Sequence, residues 1–164
     1  MNQDILRSVG NIGAILKEKS QTIAIAESSS GGLISAHLLS LPGASSYFLG
    51  GSVIYTRYAS RSFLRVTDDE MEGIRAATEE YAELNATRVR ELLGSTWGLS
   101  ETGATGPTGN RYGDPAGHSC IAVSGPVNKA ITLRTGSEDR QGNMVAFSIA
   151  ALDLLIDCVT EASS

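Results

Sequence analysis

The chain has 164 residues, 41% of them hydrophobic and 19% charged, and a formal net charge of −5 at pH 7. This composition predicts one globular domain with a single core and excludes a disordered or fibrous chain. The acidic balance disfavours broad nucleic-acid binding, and no apolar run approaches the roughly 20 residues that span a bilayer.

The first part of the chain alternates helices and strands. An amphipathic helix is predicted from about Gln3 to Lys19, followed by a buried strand over residues 22–26. The next helix begins near Gly31-Gly32 and ends at Pro42-Gly43. A second strand is expected over residues 51–55.

The middle of the chain is predicted to be mainly helical. A short helix is expected over residues 59–64, another helix begins at Asp68-Asp69-Glu70, and a longer one begins at Thr78. The apolar positions of the first helix and of this longer one are Leu6, Val9, Ile12, Leu16, Tyr81, Leu84, Val89, Leu92 and Leu93.

The last part predicts a strand over residues 97–102, a turn-rich stretch, and two strands at 119–123 and 129–133 that form an antiparallel hairpin. A final helix is predicted over residues 140–159. Its inward positions are Val145, Ile149, Leu152 and Ile156. This order predicts an α/β fold, a three-layer α/β/α sandwich with a mixed, mainly parallel sheet.

Targeting and cysteine signals indicate a cytoplasmic protein. The N-terminal residues lack the basic-then-apolar pattern of a signal peptide, and Cys120 and Cys158 have no metal-type spacing. Both thiols are expected to be reduced and partly buried. There is no internal repeat or low-complexity tract, so a single domain is expected over residues 1–164.

The stretch after the first strand is the most informative one for function. Residues 27–32, Glu-Ser-Ser-Ser-Gly-Gly, put hydroxyls and bare backbone N–H groups at a helix start, where an anion is best stabilised. The alternative is an ordinary strand-to-helix turn with Ser28 or Ser29 as N-cap. A Walker-type loop is disfavoured, because no Lys-Ser/Thr pair follows the glycines.

Two further polar segments, residues 43–61 and 103–115, are expected to meet residues 27–32 at one end of the sheet. The glycines of these loops allow a backbone to approach a ligand closely. The sequence therefore predicts a shared ligand site at the carboxyl ends of the strands.

These segments resemble, in order, the motifs of one protein family. The matches are Ala26–Gly32 with A-E-S-C-T-G-G, Pro42–Ser46 with Gly51 and Tyr55, Thr102–Gly109 with S-G-I-A-G-P-x-G-G, Pro115–Gly117 with P-V-G, and Asp139-Arg140 with D-R. The chain is similar to the C-terminal domain of CinA, the competence/damage-inducible protein. This family includes stand-alone nicotinamide mononucleotide deamidases.

The resemblance implies hydrolysis of the carboxamide of nicotinamide mononucleotide to nicotinic acid mononucleotide and ammonia, without a metal or organic cofactor. It implies that Ser45 is the nucleophile, that Tyr55 belongs to the catalytic group and that Ser28 is a hydroxyl of the site. The implied substrate-binding residues are Glu27, Ser30, Gly31, Gly32, Gly103, Gly106, Gly109 and Arg140. The expected partner is this nucleotide, with no nucleic acid and no membrane, in a homo-oligomer.

Each of these residues also has a structural interpretation. The structural alternative for Ser45 is a loop serine that completes a turn. The structural alternative for Tyr55 is a strand aromatic with its ring in the core. Arg140 is equally a solvated arginine at a helix start. Glu27 is at least as readily a buried carboxylate that accepts backbone N–H groups as a catalytic one.

The chain departs from the family at basic positions. The family lysine five residues after the tyrosine is Ser60 here, and neither serine nor the neighbouring Arg61 can replace an amine base. Two further positions that are basic in the family are Asp114 and Met144 in this chain. The arginines that could restore positive charge are Arg57, Arg61, Arg111 and Arg134. His118 is an alternative base, although local hydrogen bonding is its more ordinary role.

Three functions remain open. The first is the amidohydrolase that the resemblance implies. The second is a catalytically silent nucleotide-binding or regulatory paralogue, suggested by Ser60. The third is a related hydrolase of another amide or phosphate substrate, suggested by Asp114 and Met144.

Overall fold

The computed structural model describes residues 3–163, which form a five-stranded sheet between two helical layers. Within this range the strands are β1 (Ile23–Glu27), β2 (Phe48–Val53), β3 (Trp97–Ala104), β4 (His118–Ser124) and β5 (Lys129–Arg134). The helices are α1 (Gln3–Glu18), α2 (Leu33–Leu39), α3 (Arg57–Leu64), α4 (Glu79–Leu93) and α5 (Arg140–Glu161). The predicted α/β class and layer arrangement are confirmed.

The strand order is β2-β1-β3-β4-β5. β1 pairs in parallel with β2 and with β3, whereas β4 is antiparallel to both β3 and β5. The sheet is therefore mixed, with the late hairpin as predicted, and four of its five described strands run in one direction. The carboxyl ends of β1, β2 and β3 lie at one edge, where open α/β sheets bind ligands.

The larger core lies between the sheet and the layer of α1, α2 and α5. Ile25 of β1, Leu99 of β3 and Ile121 of β4 are fully buried in it. Because strand side chains alternate between faces, Ala24 and Ala26 of β1 point to the opposite layer, where they pack in a second cluster.

Small side chains let α4 approach this opposite face closely. Ala82 and Ala86 of α4 pack against Cys120 and Ala122 of β4. A Cβ on Gly98 of β3 would overlap the carbonyl oxygen of Ala86. The start of α4, which lies beside the carboxyl end of β3, is thereby held against the sheet.

Two elements differ from the prediction. Residues 68–73 form turns, not a helix: Thr67 and Glu70 exchange the hydrogen bonds of a capping box, but Gly73 has a φ of 76° and no further turn forms. β2 begins at Phe48 and ends at Val53, because it follows the register of β1, so Tyr55 lies beyond the strand.

The inward position predicted for Val145 was wrong, and three of the apolar helix positions are also exposed. Leu6, Leu92, Leu93 and Val145 are 38% to 45% exposed. In α5 the buried stripe passes instead through Asn143, Phe147 and Ala151, so the inward face is rotated by about half a turn at its start. Asn143 belongs to this stripe because its side-chain amide donates to the carbonyl oxygens of Thr105 and Ser137, both at 2.8 Å.

Helix α5 is long and apolar enough to cross a membrane by length and composition, contrary to the expectation that no such run exists. Half of its most apolar window is buried within the fold. Leu152, Leu155 and Cys158 pack in the main core, so α5 serves here as a core helix of the sandwich.

Gly98→Ala should lower the free energy of unfolding by at least about 2 kcal/mol, because the added methyl overlaps the α4 backbone. The measurement is urea unfolding followed by circular dichroism. Gly10→Ala in α1 is the matched control: nothing lies within 4 Å of its Cβ position, so it should stabilise by about 0.5–1 kcal/mol. Equal stability of wild type and Gly98→Ala would contradict the close contact.

Candidate functional site

A cleft made of two adjoining cavities, of about 230 and 240 Å³, lies at the carboxyl ends of β1, β2 and β3. The cavities share Tyr55, Gly103 and Asn110. The first, the polar cavity, adds Ser29, Thr105, Gly106, Thr108, Gly109 and Arg140. The second, the aromatic cavity, adds Ser28, Ile54, Arg57, Tyr81, Thr102 and Tyr112.

Glu27 ends β1 with its carboxylate buried against the start of α2. It accepts hydrogen bonds from the backbone N–H groups of Ile34 and Ser35 at 3.1 and 3.0 Å, and from the hydroxyls of Ser30 and Ser35 at 2.7 Å each. These bonds satisfy N–H groups that a helix start leaves unpaired. Glu27 and Ser30 are fully buried and do not line the cleft, so the structure gives both a structural role in place of the predicted substrate contact.

Glu101 of β3 is a second buried carboxylate, which the sequence analysis missed. It accepts hydrogen bonds from the backbone N–H groups of Ser28 and Ser30 at 3.2 and 2.8 Å, and from the hydroxyls of Ser29 and Ser119. Burial raises the pKa of Glu101, and the hydrogen bonds from Ser29 and Ser30 oppose that rise. A signal existed: Glu101 continues the core-facing alternation of Trp97 and Leu99.

Ser28 is the hydroxyl that this turn presents to the cleft. Its backbone is fixed by Glu101, its side chain is half-buried, and it lines the aromatic cavity. No hydrogen bond to its hydroxyl forms within residues 3–163. A ligand group in the cleft can therefore bind this hydroxyl without displacing an internal partner.

The glycines of the second loop are required by local packing and backbone conformation, apart from any contact with a ligand. A Cβ on Gly103 would overlap the carbonyl oxygen of His118, one on Gly109 that of Asp114, and Gly106 has a φ of 102°. All three nevertheless line the polar cavity with bare backbone. Gly31 and Gly32, with φ of 68° and 103°, shape the start of α2 and do not line either cavity.

Arg140 brings a cation to the polar cavity. Its Nη1 donates to the carbonyl oxygen of Gly106 at 2.8 Å, and its Nη2 donates to the hydroxyl of Tyr55 at 3.1 Å. These bonds connect α5, the glycine loop and the segment after β2. Tyr55 is 58% exposed, so the interpretation of its ring as a core aromatic is wrong.

Asp114 does not line either cavity, and Arg75 pairs with it. Two guanidinium nitrogens lie 2.7 and 3.1 Å from its two carboxylate oxygens, and the Asn110 amide donates at 2.8 Å. The hydrogen bond from Arg75 lowers the pKa of Asp114 to about 2. The positive charge expected from Arg57, Arg61, Arg111 or Arg134 is thus supplied at this point by an arginine that the sequence analysis did not consider.

The remaining candidate bases and cations lie mostly outside the cleft. His118 is buried with its Nε2 at 2.8 Å from the carbonyl oxygen of Ala77, as local hydrogen bonding would require. Arg61 pairs with Asp68, and Arg111 lies 5.0 Å from the ring centre of Tyr112. Arg57 alone among the four expected arginines lines the cleft within the described residues.

Ser45 and Ser60 do not line the cleft. Ser45 is exposed in a 3-10 turn, Ala44–Ser46, that precedes β2, so it lies at the amino ends of the strands. β2 separates this turn from Tyr55, and its six residues span about 20 Å. Ser60 is 3% exposed and borders a void of about 10 Å³ that shares Arg57 and Tyr81 with the lining of the aromatic cavity.

Comparison with known proteins matches residues 7–159 to the model of the CinA C-terminal domain. The chain is 39% identical over 125 residues to a CinA-like protein of Acaryochloris marina, covering 76% of this chain and 29% of that protein. It is 38% identical over 146 residues to a CinA-like protein of Desulforapulum autotrophicum, covering 88% and 34%. The chain thus spans about a third of the length of these relatives.

Solved structures share the fold. A competence-damaged protein (CinA) superfamily protein from Klebsiella pneumoniae superposes with a TM-score of 0.89 at 21% identity, covering 97% of this chain and 99% of that one. The competence/damage inducible protein CihA from Agrobacterium tumefaciens gives a TM-score of 0.86 at 25% identity, covering 96% of each chain.

The Arg75–Asp114 pair predicts a pH dependence. A carboxyl whose pKa falls from 3.8 to about 2 on folding stabilises the fold above pH 4 and loses this contribution as the pH falls from about 4 to 2. Over that range the free energy of unfolding of wild type should fall about 2 kcal/mol more than that of Asp114→Asn. Urea titrations at each pH measure it.

Asp69→Asn is the matched control, since Asp69 is exposed in a turn. It should lose stability with acid as wild type does. Parallel pH profiles of wild type and Asp114→Asn would contradict the assigned ion pair.

Proposed function

The chain belongs to the CinA C-terminal domain family, and we propose that it hydrolyses the carboxamide of nicotinamide mononucleotide, giving nicotinic acid mononucleotide and ammonia. The observation that carries the proposal is the Arg140 guanidinium, fixed by Gly106 and Tyr55 over a glycine-lined cavity that adjoins the unbonded hydroxyl of Ser28. One end of the cleft suits a phosphate and the other suits a polar ring substituent. Reaction in the cytoplasm is part of the same proposal.

The two cavities divide the nucleotide between them. The polar cavity offers Arg140 and loop backbone to the phosphate, which a guanidinium binds through paired, charge-assisted hydrogen bonds. The aromatic cavity offers Tyr81 and Tyr112 as walls for the pyridine ring. Together the cavities are in the size range of small-molecule sites.

The chemistry requires a hydroxyl that attacks the carboxamide carbon. The carbon–nitrogen bond then breaks, and ammonia leaves with the proton that the hydroxyl released. Water cleaves the resulting ester, which restores the hydroxyl and gives the carboxylic acid. Donors near the developing oxyanion and a base that receives the first proton are needed.

A second candidate is nucleotide binding without hydrolysis. Among the described residues, none of those lining the cleft carries an amine, an imidazole or a carboxylate. The Ser60 hydroxyl, at the position of the family lysine, is buried outside it. A related substrate, the third possibility, would bind the same cleft with another amide or phosphate group.

Ammonia release and calorimetric binding of nicotinamide mononucleotide, measured together, separate these functions. Turnover by wild type supports the hydrolase. Binding without turnover, with turnover gained in Ser60→Lys, supports the silent paralogue. Absence of both binding and turnover refutes both, and a panel of other nucleotides in thermal-shift assays then tests the third possibility.

Arg140→Ala should weaken binding of nicotinamide mononucleotide at least about tenfold, because a charge-assisted phosphate contact is lost. Nicotinamide riboside, which lacks the phosphate, should bind wild type and Arg140→Ala equally. Arg7→Ala is the control, since Arg7 is exposed on α1. An equal loss of affinity for nucleotide and riboside would contradict the assigned phosphate contact.

A further inference from the structure

The cleft is lined by positive charge although the chain as a whole is acidic, with a net charge of −5. Among the residues of 3–163 that line it, the charged ones are Arg140 in the polar cavity and Arg57 in the aromatic cavity, and none is a carboxylate. Asp114, which lines neither cavity, pairs with Arg75. The Glu101 carboxylate lies under the turn after β1, where four N–H and O–H donors enclose it. The cleft therefore offers one cation in each cavity to a ligand with two anionic groups.

Arg57, the first residue of α3, is held only loosely by the rest of the protein. Its Nη2 lies 3.5 Å from a carboxylate oxygen of Asp68, and the same oxygen makes a shorter contact with Arg61. The Arg57 side chain is 54% exposed, and a guanidinium has several N–H donors. Asp68 thus keeps a partner when Arg57 turns toward the cavity that it lines. A carboxylate in this cavity would pair with the guanidinium through charge-assisted hydrogen bonds.

Several acceptors of the aromatic cavity are already bonded within the protein. The carbonyl oxygen of Ala76 accepts a hydrogen bond from Arg75 at 3.1 Å. The carbonyl oxygen of Ala77 accepts one from Nε2 of His118 at 2.8 Å. The side-chain oxygen of Asn110 accepts two backbone N–H groups of its own loop, at 3.0 and 3.1 Å. A ligand that brings N–H donors to this cavity must compete with these bonds.

Donors of the aromatic cavity, in contrast, are free to bind a ligand. They are the hydroxyl of Ser28, to which no hydrogen bond forms within residues 3–163, and the guanidinium of Arg57. A carboxamide carries an N–H₂ group that requires acceptors, whereas an ionised carboxylate only accepts. An N–H group left unpaired in the cavity would lower affinity. The cavity therefore matches a carboxylate on the ring better than it matches a carboxamide.

We propose that the cleft binds nicotinic acid mononucleotide more tightly than nicotinamide mononucleotide and that Arg57 determines this preference. Arg140 binds the phosphate of either nucleotide, and Arg57 with Ser28 binds the ring carboxylate of the acid. The inference rests on the proposed function for the identity of the ligand. In a hydrolase it makes the product a competitive inhibitor, and in a silent paralogue it makes the acid nucleotide the preferred ligand.

Calorimetric titration with the two nucleotides tests the preference. Wild type should bind the acid at least about fivefold more tightly than the amide, because a charge-assisted pair adds to the phosphate contact. Arg57→Gln keeps a polar side chain but removes the charge, and it should bind the two nucleotides about equally. Equal affinities in wild type, or a preference for the acid that Arg57→Gln retains, overturn the inference.

Arg61→Gln is the matched control for this substitution. Arg61 lies on the same helix as Arg57, is 52% exposed and pairs with the same Asp68, but it does not line either cavity. The control should keep the wild-type preference within about twofold, since an exposed ion pair contributes little. An equal loss of the preference in Arg61→Gln and Arg57→Gln would assign it to the charge of α3 in general and would overturn the inference.

Arg140→Ala separates the two ends of the cleft. The phosphate is common to both nucleotides, so this substitution should weaken both by the same factor and leave the ratio of their affinities unchanged. A ratio that falls to that of Arg57→Gln would show that one arginine serves both anionic groups, which would overturn the two-cation site.

Ammonia release, measured beside binding, separates this inference from the proposed function. Wild type that prefers the acid through Arg57 but releases no ammonia refutes the hydrolase and leaves the inference intact. Wild type that releases ammonia but has equal affinities refutes the inference and leaves the hydrolase intact. Binding of neither nucleotide refutes both. Where the amide is consumed during titration, the inhibition constant of the acid in wild type, Arg57→Gln and Arg61→Gln gives the same comparison.

Discussion

Two buried carboxylates determine the shape of the candidate site. Glu27 ends β1, and Glu101 is its register neighbour on the adjacent parallel strand β3. Glu27 accepts the N–H groups at the start of α2, and Glu101 accepts those of the preceding turn. An unpaired buried donor costs more than its hydrogen bond is worth, so this turn has few alternatives to the observed conformation. The position of Ser28 follows from that constraint.

The fold was largely predictable, because its signals are local. Hydrophobic periodicity and helix ends identified α1, α4 and the β4–β5 hairpin. The errors have physical causes of longer range: Gly73 ends a helix that Thr67 and Glu70 begin, and the inward stripe of α5 passes through Asn143 because its amide has backbone partners in the glycine loop. A polar residue at a buried position cannot be recognised until its partners are known.

The candidate site was predictable only in outline. Ser28, Tyr55, Arg140 and the glycine loop lie at one edge of the sheet because parallel strands end there. Ser45 does not, since its turn precedes β2, and motif order along the chain does not distinguish the two ends of a strand. The effect of Asp114 was misjudged because Arg75 is distant in sequence, and pairing turns an expected repulsion into a neutral contact.

The close contact between α4 and the sheet restricts which molecules can enter. Gly98 and the alanines of α4 let the helix backbone pack directly on the sheet. The aromatic cavity is bounded by Tyr81, near the start of that helix. Tyr81 and Tyr112 are the large side chains that narrow this cavity beside Tyr55. Smaller residues in place of these tyrosines would admit a bulkier ligand, whereas moving α4 away from the sheet would destabilise the fold.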